Sequence, residues 1–252
     1  MNMSTPFTPA PGLVVQDFTP PLRLSDFKLV AFDMDSTLIN IECVDEIADA
    51  AGRKAEVAAI TEAAMRGEIT DYKDSLRQRV ALLKGVTVAH MEEVYTRRLQ
   101  LNPGAETLVA ACKAAGLKVL LVSGGFTFFT DRIKARLGMD FARSNVLEVD
   151  PSPNPSNGGG VLTGRMVDQP WGDICDGAEK RRTLLEVATL MGVPLSQCMA
   201  VGDGANDLPM MKACSEAGGL SVAYHAKPAV REQARVAINE GGLDRLLEVV
   251  QP

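Results

Sequence analysis

From Lys28 onward the chain alternates short apolar runs with amphipathic stretches. Residues 28–33 (Lys-Leu-Val-Ala-Phe-Asp) read as a buried strand. Residues 104–115 predict a helix that opens after Pro103 and stops at Gly116. Lys118-Val-Leu-Leu-Val122 predicts a second buried strand, which runs into Ser123-Gly124-Gly125. A helix over 127–137 stops at Gly138, and one over 177–191 stops at Gly192. Cys198-Met-Ala-Val201 predicts a third strand, ending in Gly202-Asp203-Gly204. A helix over 205–215, a strand near 219–223 and a closing helix near 242–250 follow. This alternation predicts an α/β fold: a Rossmann-like, mostly parallel sheet with helices on both faces.

Two stretches interrupt the pattern. Residues 41–100 show helical periodicity at 43–51, 54–65 and 71–84, with Gly52, Gly67 and Gly85 as stops. They predict a helical insertion after the first core strand. Residues 145–168 hold two short alternating runs separated by Pro151, Pro153, Pro155, Asn157 and Gly158–Gly160, which predicts a β-hairpin extension. The expected domains are a Pro-rich arm over 1–27, a catalytic core over 28–40 and 101–252, and a helical cap over 41–100. Prolines 6, 9, 11, 20 and 21 make the arm read as extended or disordered.

Composition narrows the function classes. At 252 residues the chain buries roughly 70–75% of its unfolded surface and needs no staples. A net charge of −6 argues against a nucleic-acid partner, yet a site can be locally positive in an acidic protein. The five cysteines form no Cys-x-x-Cys pair, which fits reduced thiols in the cytoplasm. With only His90 and His225, a zinc site or a Ser-His-Asp triad is disfavoured. No segment has the ~20 apolar residues of a membrane span, and no secretory signal opens the chain.

Three predicted strand ends carry the chemistry: Asp33 and Asp35, Ser123-Gly124-Gly125, and Gly202-Asp203-Gly204-Ala205-Asn206-Asp207. In a parallel sheet these ends share one edge, so they should converge. Strand alternation would point Asp33 and Asp35 the same way if the strand continued. Two such carboxylates repel unless a cation or a proton sits between them. Lys180, early in a predicted helix, adds a fixed positive charge. Carboxylates for a hard cation, a hydroxyl and amides for anionic oxygens, and a lysine together suit phosphoryl transfer. Singly, each element has a plainer reading as a turn, a strand stop or a surface lysine. Their joint placement favours the chemistry.

The order Asp-x-Asp-x-Thr, Ser-Gly-Gly, Lys, Gly-Asp-Gly-x-Asn-Asp resembles the haloacid dehalogenase (HAD) superfamily of phosphohydrolases. Finer matches resemble its phosphoserine phosphatase family: Asp33-Met-Asp-Ser-Thr37, Glu42, Met65-Arg-Gly-Glu68, Ser75-Leu-Arg-Gln-Arg79-Val80, Val122-Ser-Gly-Gly-Phe126, Gly202-Asp-Gly-Ala-Asn-Asp-Leu-Pro209 and Ala223-Tyr-His-Ala-Lys-Pro228. The likeness runs from residue 28 to about 245. The 27 residues before it are too few for the N-terminal regulatory domain that some relatives carry. One departure is a Gly67–Tyr72 segment that is one residue longer, with Tyr72 where Phe is common.

The resemblance implies Mg²⁺-dependent hydrolysis of O-phospho-L-serine through an aspartyl-phosphate, the last step of serine biosynthesis. Asp33 is implied as nucleophile, and Asp35 as general acid and then base. Asp33, the Asp35 carbonyl and Asp203 are implied to hold Mg²⁺. Ser123, Gly124 and Lys180 are implied to bind the phosphoryl oxygens, and Asn206 to place the substrate. Glu42 is implied to receive the substrate ammonium, and Arg79 its carboxylate. Asp207 is implied to orient Lys180 or a metal-bound water, and Met65 to pack over the substrate. Two other readings remain at this point: transfer of the phosphoryl group to another alcohol such as homoserine, or a silent phospho-ligand-binding module. The expected partner is a small molecule, with no nucleic acid or membrane, and the expected assembly is a monomer or homodimer.

Overall fold

The computed structural model describes residues 6–65, 69–151, 159–170 and 172–252, with the side chains at 64 and 65 outside that set. The chain begins with β1 (Phe7–Ala10), β2 (Leu13–Val15), β3 (Leu22–Arg23) and β4 (Leu29–Phe32). Helices α1 (Cys43–Ala50), α2 (Lys54–Met65), α3 (Tyr72–Ala81) and α4 (Val88–Glu93) come next. They are followed by α5 (Ala105–Ala114), β5 (Lys118–Phe126), α6 (Thr127–Leu137), β6 (Phe141–Asn145), β7 (Leu147–Asp150) and β8 (Val161–Met166). The last part comprises α7 (Gly177–Leu190), β9 (Cys198–Gly202), α8 (Leu208–Glu216), β10 (Leu220–Tyr224), α9 (Pro228–Arg231), β11 (Val236–Ile238) and β12 (Val250–Gln251).

The main sheet has eight strands in the order β1-β2-β11-β10-β9-β4-β5-β6. From β11 to β6 every pairing is parallel. The chain leaves β4 towards β5 and β6, then returns to β9 on the other side. The strand order therefore reverses between β4 and β9, where open α/β sheets place their ligand crevice. Strand β4 is buried on both faces because it is apolar at every position: Val30 and Phe32 pack into one core layer, Leu29 and Ala31 into the other. One layer also takes α5, α6 and the inserted helices through Leu108, Phe129, Ile47 and Leu76. The opposite layer takes α7 and α8 through Leu184, Ala188, Met210 and Met211.

The structure corrects the sequence reading at several points. The Pro-rich N-terminus is no loose tail over its described part, because β1 and β2 form a hairpin that extends the main sheet. Strand β2 pairs antiparallel with β11, Val15 opposite Val236 and Leu13 opposite Ile238. Leu13 and Val15 are buried there, which accounts for the ordering. The closing helix expected near 242–250 is instead a short 3-10 turn over Leu243–Glu248, followed by β12 paired with β3. The expected hairpin is present as antiparallel β7 and β8, and its Pro-rich loop at 152–158 lies outside the described residues. Among the described residues no helix is long and apolar enough to cross a membrane.

Candidate active site

The edge formed by the C-terminal ends of β4, β5 and β9 opens into a cleft of about 640 Å³. Asp33, Asp35, Glu42, Arg79, Gly124, Asp203 and Asn206 all line it. Ser123 and Lys180 sit directly behind that wall, fully buried. Most of the residues expected from the sequence therefore meet in one place. The side chain of Met65 and residues 66–68 lie outside the described residues.

Asp33 and Asp35 converge for a different reason from the one expected. Strand β4 ends at Phe32, and residues 34–38 form a tight irregular turn. Asp35 stays extended, while Ser36 adopts a left-handed φ of +57°. The turn, not strand alternation, brings the second carboxylate into the same cleft as the first. It also engages its hydroxyls: Ser36 Oγ donates to Glu42 Oε1 at 2.6 Å, and Thr37 Oγ1 donates to Asp203 Oδ1 at 3.2 Å. Sequence reading gave neither hydroxyl a role, although both lie in the quoted motif.

The Ser-Gly-Gly segment is a bulge inside β5 rather than the strand's end. Val122 pairs with Arg143 and Phe126 with Asn145, so four steps on β5 face two on β6. The bulge is pinned from both sides. Gly125 N donates to Ser123 Oγ at 2.8 Å, and Asn145 Nδ2 donates to the Gly124 carbonyl at 2.8 Å. Asn145 Oδ1 accepts from Cys175 N at 2.9 Å, which ties the bulge to the loop before α7. Only a buried polar residue at the end of a short strand could have signalled Asn145.

Helix α7 starts where Asp176 caps it, accepting from Glu179 N at 2.9 Å. This start puts Lys180 in the first turn, where the helix dipole disfavours a cation. Two carboxylates offset that cost: Lys180 Nζ lies 2.7 Å from Asp33 Oδ1 and 2.7 Å from Asp207 Oδ1. Burial alone would lower the Lys180 pKa, but Asp207 and Asp33 hold it well above the ordinary lysine value. The other oxygen of Asp207 accepts from Asp203 N at 3.1 Å and Gly204 N at 3.0 Å. Asp207 is thus fixed behind the site. A Cβ at Gly202 would strike its carboxylate, so the glycine is a spatial requirement.

The site is electrostatically tense. Burial, then Glu42, push the Asp35 pKa up to about 8, against the hydrogen bonds it receives from Cys43 and the pull of Lys180. Burial, then Asp207, raise Asp203 to about 6. Asp33 is driven upward by burial and Asp207, with Lys180 opposing. Glu42 is open to the cleft but enclosed at its sides. That enclosure raises its pKa, while Ser36 and Arg79 act the other way. Buried atoms without a hydrogen-bond partner cluster here too: Asp35 Oδ1, Asp45 Oδ1 and Arg79 Nε. Such atoms belong at a surface completed by a ligand.

One oxygen from each of Asp33, Asp203 and Asp207 lies within 4.8 Å of the others. Unit charges at that spacing repel by roughly 3.5 kcal/mol at an effective dielectric of ~20. Lys180 cannot neutralise all three. An all-oxygen acidic cluster without His or Cys fits a hard divalent cation. Asp207 has both oxygens engaged by protein donors, which leaves Asp33 and Asp203 as the available side-chain ligands.

Comparison with known proteins shows the family. The sequence pattern of haloacid dehalogenase-like hydrolases matches residues 27–215. The chain belongs to that family. Within it, the chain is 75% identical over 242 residues to a phosphoserine phosphatase of Polaromonas sp., covering 96% of this chain and 98% of the relative. It is 72% identical over 243 residues to a phosphoserine phosphatase of Albidiferax ferrireducens, covering 96% and 98%. A solved HAD structure, described as a phospho-aspartyl intermediate analogue of phosphoserine phosphatase, superposes with a TM-score of 0.76 at 38% identity. It covers 89% of this chain and 99% of that one.

Proposed function

We propose that this HAD hydrolase cleaves O-phospho-L-serine to L-serine and phosphate. The observation that carries the reading is that one cleft joins two kinds of chemistry. Its floor has the Asp33–Lys180–Asp207 array suited to phosphoryl transfer. Its wall has Glu42 and Arg79, one carboxylate and one guanidinium, matched to the ammonium and carboxylate of an amino acid. In this reading the helices between β4 and β5 are the cap that carries substrate choice. The cysteines are all unpaired, which suits a reducing cytoplasm.

In the first step an Asp33 carboxylate oxygen attacks phosphorus, and the bond from phosphorus to the serine oxygen breaks. Asp35 passes its proton to that leaving oxygen; its raised pKa keeps the proton available near neutrality. In the second step Asp35 takes a proton from water. The water oxygen bonds to phosphorus, and the bond between Asp33 and phosphorus breaks. Lys180 spends two of its three N–H donors on Asp33 and Asp207, which leaves the third for a phosphoryl oxygen. Ser123 and the Gly124 amide meet the remaining oxygens. Mg²⁺, held by Asp33, the Asp35 carbonyl and Asp203, would supply the positive charge needed to bring a dianionic ester to a carboxylate.

Steady-state phosphate release across a panel of phosphorylated metabolites tests the substrate. Phosphoserine should have the highest kcat/KM, and no turnover of it with Mg²⁺ present would refute the proposal. Chelation with EDTA should abolish turnover and excess Mg²⁺ should restore it; full activity after exhaustive chelation would remove the metal from the scheme. Arg79→Ala should cut kcat/KM for phosphoserine by about 100-fold, because truncating one partner of a buried charge pair costs 2–5 kcal/mol. An aryl phosphate, which lacks the carboxylate, should lose less than about threefold. Equal losses on both substrates would overturn the role of Arg79 in recognising the amino acid.

A further inference from the structure

The cap helix α3 starts at Tyr72 because Asp71 caps it, accepting from Lys73 N at 2.8 Å. That start aims the Tyr72 ring across the cleft to the opposite wall. Its hydroxyl lies against Gly124 in the space that a Cβ there would need, and its Cζ would lie 3.2 Å from such a Cβ. Tyr72 lines the same cleft as Asp33, Gly124 and Arg79. Among the described residues no hydrogen bond holds the hydroxyl. Tyr72 is half-buried and its hydroxyl borders the cleft, where a ligand oxygen can accept from it.

The surroundings say which part of the ligand it meets. Gly124 sits in the bulge that carries the phosphoryl-binding amides, and the Gly125 amide is already spent on Ser123 Oγ at 2.8 Å. A transferring phosphoryl group spreads negative charge over three equatorial oxygens, each of which takes donors. Lys180, Arg79 and Asp33 act on the Tyr72 hydroxyl electrostatically. Burial holds the phenol above the ordinary tyrosine range, so it remains a neutral donor at working pH.

We propose that Tyr72 is a catalytic residue of this chain, its hydroxyl donating a hydrogen bond from the cap to a phosphoryl oxygen of the bound ester. The proposal rests on the phosphatase reading above and assigns one more donor to it. The donor comes from the cap rather than the core, so it couples placement of the cap to stabilisation of the transferring group.

Tyr72→Phe removes the oxygen and keeps the ring. A hydrogen bond to a charged group is worth about 1.5 kcal/mol at the low end, or roughly tenfold. The variant should lose about tenfold in kcat/KM on phosphoserine and on an aryl phosphate alike. The dissociation constant of inorganic phosphate, measured by calorimetry with Mg²⁺ present, should rise by a similar factor. Inhibition by L-serine, which has no phosphoryl group, should stay unchanged, as should the melting temperature. Unchanged phosphate binding would overturn the proposal. So would a loss confined to phosphoserine with weaker L-serine inhibition, which would place the hydroxyl at the amino-acid end. If the wild type failed to turn over phosphoserine, the substrate reading would fall, and the phosphate titration would still decide the role of Tyr72.

Discussion

Asp33→Asn is expected to reduce phosphoserine turnover by about 10⁴-fold or more while the chain still folds. The substitution is isosteric. Asp33 Oδ1 accepts from Met34 N at 2.7 Å and contacts Lys180 at 2.7 Å, and an amide oxygen can keep both contacts. The Lys180–Asp207 pair is untouched. In the proposed mechanism the loss is the anionic oxygen that attacks phosphorus, and no neighbouring group replaces it. Asp35 is closest in sequence, but the proposed mechanism needs it protonated, and its raised pKa of about 8 disfavours the anion. Stability should hold or rise, because burial and Asp207 already disfavour a charged Asp33. Single-turnover phosphate release and a thermal melt by circular dichroism read the two halves. Turnover within tenfold of wild type would sink the covalent mechanism. A lost cooperative melt would mean that Asp33 is structural first.

The core of this site was legible because it depends on local chemistry at strand ends. An all-apolar strand followed by Asp33, and a glycine-flanked Asp203, require nothing beyond the sheet to bring them together. What was not legible depends on contacts between distant segments. Asn145 matters because it bridges the Gly124 carbonyl and the Cys175 amide, and neither partner is near it in sequence. The β1–β2 hairpin reads as a loose Pro-rich tail because its strands are short, and their order comes from pairing with β11, more than 200 residues away. The 243–248 segment carries a helical pattern, yet Val250 finds its ladder partner in Leu22. Tertiary pairing there overrides a weak local preference.

Asp33 and Asp35 reach one cleft by a route other than the expected one. Alternation along a continuing strand would have put both carboxylates on one face at similar depth. The turn at Ser36 instead gives them different surroundings. Asp33 lies against a buried lysine. Asp35 keeps an unpartnered oxygen and faces Glu42. Unequal environments let two carboxylates divide the labour of nucleophile and acid. The intervening backbone conformation was not readable from residue types, because a left-handed serine is rare.

Lys180→Met should damage the fold and the chemistry of the site together. The side chain is fully buried, and its ammonium is the bond between two buried carboxylates. Methionine fills similar volume, so packing around the buried side chain is largely kept. The charge balance is not. Removing one partner of a buried pair costs about 3–5 kcal/mol, because the remaining carboxylates lose their compensation. Activity should fall by about 10³-fold or more, since in the proposed mechanism the phosphoryl group loses its fixed cation and Asp33 loses its orientation. Urea unfolding measures the first effect and steady-state kinetics the second. Adding Asp207→Asn to Lys180→Met should return part of the lost stability, because one uncompensated charge is gone, and should return no activity. This split separates an electrostatic role from a packing role. If Lys180→Met unfolded within about 1 kcal/mol of wild type, the pairing seen between Lys180, Asp33 and Asp207 would contribute little to the fold. If the double variant regained turnover, the lysine would serve only to restrain Asp207.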